Sequence, residues 1–225
     1  MVAGSVSHKL KLAGRKFSPR HISRQLRTAR IVRTFAESAG LVYFGTVARD
    51  RRGHADIKGF TLSNTHFDRH LSVGSLKGYD VALAVRRDSV SVRGVLHDFA
   101  WTILKVDLHN RNDLAPLVIA DTNMLPVYHS KFMNLQPLPP LDVSAITQQF
   151  SNRFSVFGNI ARHDVTYDFL DATMMSGLLF QAQQFSVELA GNELLVYIPA
   201  KFPTKKELTW LINFGIWLAQ SIDSK

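Results

Sequence analysis

The spacing of apolar positions divides the chain into a helical start, a long run of strand-like segments and a mixed second half. Ser18-Pro19 reads as an N-cap followed by a first helical residue, and Gly40 as a stop. Between them Ile22, Leu26, Ala29, Val32, Ala36 and Ala39 recur at helical intervals. At about 100° per residue these fall in one arc, and Arg20, Arg24, Arg27 and Arg30 fall in the opposite one. The pattern predicts an amphipathic helix that packs on a domain while its guanidinium groups face away.

The texture changes at Leu41. Leu41–Ala48, Ile57–Leu62, His70–Leu76, Val81–Val85 and Trp101–Leu108 are short runs rich in β-branched or aromatic residues, and Leu117–Ala120 reads as one more strand. No helical pattern separates them, which favours an antiparallel meander over βαβ units. Lys77-Gly78 and Arg51-Arg52-Gly53 mark tight turns. Five prolines (Pro116, Pro126, Pro137, Pro139 and Pro140) then crowd residues 110–145, and Gln136–Asp142 reads as a linker or covering loop. Beyond it the pattern predicts a helix over Ser144–Phe150, a strand over Phe154–Phe157 and a helix over Phe169–Phe180. Phe185–Leu189 and Leu194–Ile198 form a hairpin bent at Gly191-Asn192. Thr204 with Glu207 makes a capping box that opens a final helix reaching about Ile222.

The fold class is therefore α+β. An antiparallel sheet spans about residues 41–120, with a basic amphipathic N-terminal helix, a smaller helix-plus-hairpin part and an apolar C-terminal helix. The implied organisation is a flexible basic arm (1–17), a helix-plus-sheet unit (18–135), a proline-rich linker (136–143) and an α/β-hairpin part (144–225). One domain embracing both parts satisfies the pattern as well. In the last helix Thr209, Asn213 and Gln220 form one narrow polar stripe, while Trp210, Phe214 and Trp217 point away from Leu208, Ile212 and Ala219. A helix apolar on two sides needs two covers. The hairpin is one; the other is the N-terminal helix, a lipid surface or a second copy of the chain, and the expectation is the second copy, making a homodimer through this helix.

Charge changes the functional picture more than composition does. The formal net charge is +9, and residues 1–36 hold nine of the 27 basic residues and no acid. The remainder is balanced, eighteen against eighteen, so an anionic partner is expected to meet the N-terminal segment. The expected partner is an anionic membrane surface, where each basic residue contributes about 1 kcal/mol. Nucleic acid is the lesser alternative, because Phe17 and Phe35 are the only aromatics available near the arm for stacking. An acid-free start with Arg and Ser also fits a transit peptide, although the basic helix runs into the core without a processing linker. No secretory signal is evident. The most apolar window, Leu208–Ala219, contains Thr209 and Asn213 and falls short of the ~20 residues of a spanning helix. The expected location is cytoplasmic, peripheral to the inner face of the membrane.

Candidate chemistry is sparse. With no cysteine, a disulfide scaffold, a thiolate metal site and a cysteine nucleophile are excluded. No P-loop, dinucleotide fingerprint, H-E-x-x-H or G-x-S-x-G elbow occurs; Gly74-Ser75-Leu76-Lys77-Gly78 has its serine one place early. His66, Asp68 and His70 alternate, so an extended chain would line them up on one face, close enough to share a metal ion. They form the alternative site of a metal-binding protein or enzyme. His97-Asp98 and His163-Asp164 are sequence neighbours whose side chains seldom meet. The leading expectation is a non-enzymatic interaction module without a cofactor, with Arg20, Arg24, Arg27 and Arg30 as its anion-binding residues.

Several stretches also resemble a bacterial family of unknown function. They are Phe154-Ser155-Val156-Phe157, Tyr167-Asp168-Phe169-Leu170 leading into a helix, Phe185-Ser186-Val187, and Asn192-Glu193-Leu194-Leu195-Val196-Tyr197-Ile198. Gly78-Tyr79-Asp80-Val81 is similar upstream. Members of that family often carry membrane segments ahead of a soluble α+β domain; no such segment precedes the domain in this sequence. The resemblance implies an α+β fold in a bacterial, membrane-proximal setting, and it brings no catalytic residues.

Overall fold

The computed structural model describes residues 19–46, 67–92, 95–109, 114–123, 135–139, 144–162 and 169–225. The arm over 1–17, the strand expected at Ile57–Leu62, the turn at Arg51-Arg52-Gly53, His66 and His163-Asp164 lie outside the described residues.

Helix α1 (Pro19–Ser38) ends as its sequence suggests. Gly40 adopts φ +79°, the Leu41 N–H donates to the Ala36 carbonyl at 2.8 Å and the Gly40 N–H to that of Glu37 at 3.2 Å. This paired pattern closes a helix on a left-handed residue, which glycine adopts without a side-chain penalty. The buried stripe differs from the expected arc. It runs through Thr28, Val32, Phe35 and Ala36, and Leu26 is 67% exposed. Rotating the helix towards Phe35 buries an aromatic ring at the expense of a smaller side chain, a favourable exchange. Thr28 tolerates burial because its hydroxyl donates to the Arg24 carbonyl.

Among the described residues nine strands form one antiparallel sheet: β1 (Val42–Gly45), β2 (Phe67–Leu76), β3 (Tyr79–Val92), β4 (Val95–Asp107), β5 (Leu114–Asp121), β6 (Gln136–Pro137), β7 (Phe154–Gly158), β8 (Ser186–Gly191) and β9 (Glu193–Ile198). Their spatial order is β1-β2-β3-β4-β9-β8-β5-β7-β6. The β8–β9 hairpin is inserted between β4 and β5, so the sheet reaches well beyond residues 41–120 and takes strands from both sides of the proline-rich stretch. Pro137 sits on edge strand β6, where a missing N–H costs no ladder bond. The β2–β3 turn has Lys77 at φ +50° and Gly78 at φ +88°, the doubly left-handed geometry that matches strand twist. In the β8–β9 turn Gly191 takes φ +60°.

Strands β3 and β4 run past the sequence-predicted runs, pairing from Val81↔Val106 out to Val92↔Val95. Arg86, Arg87, Asp88 and Asp98 interrupt the apolar pattern there, which hides the extension from a hydropathy reading.

Helices α2 (Ala145–Arg153), α3 (Ala172–Leu179) and α4 (Lys205–Asp223) join α1 on one face of the sheet, sharing a core with Leu83, Val85, Leu104, Val106, Val187 and Val196. The expected capping box is present, with the Thr204 N–H donating to Glu207 Oε2 at 2.7 Å and the Glu207 N–H to Thr204 Oγ1 at 3.2 Å. Gly215 brings α4 down on β4; a Cβ there would stand 2.5 Å from Leu104 Cδ2. The other side of α4 is covered within the chain. The Trp210 N–H donates to Gln181 Oε1, its ring lies against Phe185 and Phe214, and Trp217 seats on Gly177 of α3. These tryptophans, read in the sequence as the face for a second copy, are half-buried against α3 and the segment after it.

Candidate anionic-surface interface

The outer face of α1 is built by the rotation described above. Arg24, Arg27 and Arg30 are exposed and have no ion-pair partner among the described residues. Arg33 differs, because its Nε donates to Glu37 Oε1 at 2.8 Å and the two charges cancel. The Arg20 side chain lies outside the described part. Between the free cations stands exposed Leu26, so the surface combines an apolar side chain with three guanidinium groups. Such a face binds polyanions by charge and can place one leucine in an apolar boundary.

The histidine group is arranged differently from an alternating strand. Strand β2 shifts register between Arg69 and Ser72, and His70 takes φ +57°. Asp68 pairs with the side of the sheet that carries Arg86, Ala84 and Ala82. Its two carboxylate oxygens accept from Arg86 Nε at 2.8 Å and Nη2 at 2.7 Å. His70 instead meets Tyr43 of β1, with 2.8 Å between Nδ1 and the phenol oxygen. The bulge accounts for the divergence, since an extra residue re-aims the side chains that follow it. Burial first, then the positive charges of Arg69 and Arg87, lower the His70 pKa to about 4. Burial likewise raises that of Tyr43, so the contact joins a neutral imidazole to a protonated phenol. His66 lies outside the described residues. Among those that are described, no three His, Asp or Glu side chains come together as metal ligands.

The buried charges on the helix-free side of the sheet were not legible in the sequence. Arg86 is 1% exposed, Glu188 0% and Tyr197 2%. Glu188 Oε2 accepts from the Tyr197 hydroxyl at 2.8 Å. Burial disfavours the Arg86 charge, but the Asp68 hydrogen bond and carboxylate outweigh it and raise its pKa. In β8, Ser186 and Glu188 alternate with Val187 and Leu189, a pattern that reads as solvent-facing polar positions; both are buried. No helix among the described residues packs on this side, where Ala82, Ala84, Trp101, Ile103, Leu195 and Tyr197 form a second core.

One notch of about 240 Å³ opens between α1, α4 and the β2–β3 turn, lined by Phe35, Leu76, Ile212 and Ile216 with Lys77 and Asn213 at its polar part. It contains no carboxylate or imidazole, and so offers no acid–base pair. No helix among the described residues is long and apolar enough to cross a membrane.

No protein-family model and no curated protein matches the chain. Among solved structures it is similar to the crystal structure of the mycobacterial trehalose monomycolate transport factor A, TtfA. The identity is 13%, the alignment covers 88% of this chain and 93% of that one, and the TM-score is 0.59. The likeness is one of fold.

Proposed function

We propose that the chain is a non-enzymatic interaction module that attaches peripherally to an anionic membrane surface through α1. The observation that carries this reading is the exposed set Arg24, Arg27 and Arg30 around Leu26, with no carboxylate partner among the described residues. Anionic lipid of a cytoplasmic leaflet is the complementary surface, and attraction of about 1 kcal/mol per cation suffices for reversible attachment. A module that works by binding is in keeping with a fold shared with a protein described as a transport factor.

The test is co-sedimentation with vesicles of phosphatidylcholine containing phosphatidylserine, compared with neutral vesicles and duplex DNA. The parent protein binds the anionic vesicles, weakens as salt rises, and loses most of that binding when Arg24, Arg27 and Arg30 are changed to Gln. Equal behaviour of parent and variant towards anionic vesicles would remove the reading. Retained DNA binding with no vesicle binding would favour nucleic acid instead.

A further inference from the structure

The notch between α1, α4 and the β2–β3 turn is shaped by the core beneath it. Two of its walls, Phe35 and Ile216, are 8% and 1% exposed, and Ala39, Leu76 and Ile212 pack half-buried against the same cluster. Its form therefore follows from how the helices pack on the sheet, and no side chain has to swing aside to open it. At about 240 Å³ it exceeds the ~150 Å³ that encloses a benzene ring in an apolar cavity, which leaves room for a short alkyl chain.

The polar groups around these walls run against local preference. Thr209 and Asn213 lie one turn apart in the interior of α4, in one arc with Ile212 and Ile216. Both residue types are weak helix formers, and neither caps this helix, whose N-cap is Thr204. Lys77 stands at φ +50° in the first place of a two-residue turn, where the left-handed backbone favours Asn, Asp or Gly. The turn is fixed by His109, whose Nε2 donates to the Gly78 carbonyl at 3.0 Å and whose ring stacks on Tyr79 with centroids 4.3 Å apart. Among the described residues the side chains of Lys77, Thr209 and Asn213 make no hydrogen bond or ion pair. No carboxylate lines the notch, so Lys77 is its one charge. Nearby, Glu37 is held by Arg33 and Asp223 accepts from the His109 N–H. Residues that break local rules without a gain inside the fold point to a contact outside it.

We infer that the notch binds a single-chain anionic amphiphile, an alkyl carboxylate taken from solution. The chain lies against Phe35, Leu76, Ile212 and Ile216. The carboxylate accepts from Lys77 Nζ, and the Thr209 hydroxyl and Asn213 amide donate to the same head. An apolar slot with a few convergent polar groups is the form small-molecule sites take. The sign of the single charge selects the head group: a cationic amphiphile would be repelled by Lys77, and a neutral alcohol would leave it without a counter-charge. The inference goes beyond membrane attachment and does not rest on it, since α1 supplies Phe35 and Ala39 to the notch and none of Arg24, Arg27 and Arg30 lines it.

Calorimetric titration of the full chain with sodium octanoate, below its micellar range, tests the site, with octanol, octyltrimethylammonium and butyrate alongside. Octanoate binds at one site per chain and raises the melting temperature. Butyrate, which lacks the chain, and octyltrimethylammonium, which carries the opposite charge, do neither. Lys77→Asn suits the left-handed turn and weakens octanoate about tenfold or more, because a hydrogen bond to a charged group is worth that factor. The same variant changes octanol binding little. Ala39→Leu fills the notch from α1 and weakens octanoate and octanol alike. Circular dichroism confirms that both variants fold, and Lys206→Gln, on α4 outside the notch, titrates as the parent does. Absence of saturable octanoate binding, octanoate binding that either notch variant leaves intact, or equal binding of the cationic amphiphile would overturn the inference.

Discussion

Replacing Asp68 by Asn removes one charge while preserving shape, and the consequences follow from the burial of its partner. Arg86 is 1% exposed and Asp68 6%, and both carboxylate oxygens are engaged at 2.7 and 2.8 Å. Removing one member of a buried pair costs about 3–5 kcal/mol, because the remaining charge has left water without compensation. Domains are stable by only about 5–15 kcal/mol, so Asp68→Asn forfeits a large share. With a urea slope of about 3 kcal/mol/M, the unfolding midpoint falls by about 1–1.7 M. Arg86→Met should cost at least as much, since it strands Asp68 beside Glu188, another carboxylate acting on Arg86. The double variant Asp68→Leu with Arg86→Met should recover part of the loss, as apolar replacement of a whole buried pair is often neutral. Trp101, in register with Arg86, reports the transition by fluorescence. An Asp68→Asn midpoint within about 0.3 M of the parent at the same slope would refute the argument, as would singles whose costs simply add.

Two further predictions concern folding. Because His70 has a native pKa of about 4 against an ordinary 6.5, the unfolded chain takes up a proton the native chain refuses between those values. Stability therefore falls as pH drops through that window, and His70→Asn, compatible with φ +57°, should flatten that part of the stability–pH curve; an unchanged slope there would count against the assignment. Gly177→Ala would place a Cβ 2.7 and 2.8 Å from Trp217 ring atoms, and the ring must move. The expected cost is about 1–3 kcal/mol with a red-shifted tryptophan emission, and an unshifted spectrum with unchanged melting would show that the seat has room.

What the sequence determined by itself is what depends on near neighbours along the chain. The Gly40 stop, the Lys77-Gly78 and Gly191-Asn192 turns and the Thr204–Glu207 box are local conformational and hydrogen-bonding choices, and each is found where its residues place it. Strand alternation likewise marked the antiparallel α+β class. Burial of charge was not legible, because Arg86 and Glu188 become internal only when strands distant in sequence bring Asp68 and Tyr197 within hydrogen-bond reach. The rotation of α1 that exposes Leu26 is set by how Phe35 fits against the sheet, and wheel geometry contains no sheet. Trp210 and Trp217 are half-buried against α3 and the segment after it, contacts between elements about thirty or more residues apart that a helical wheel does not contain.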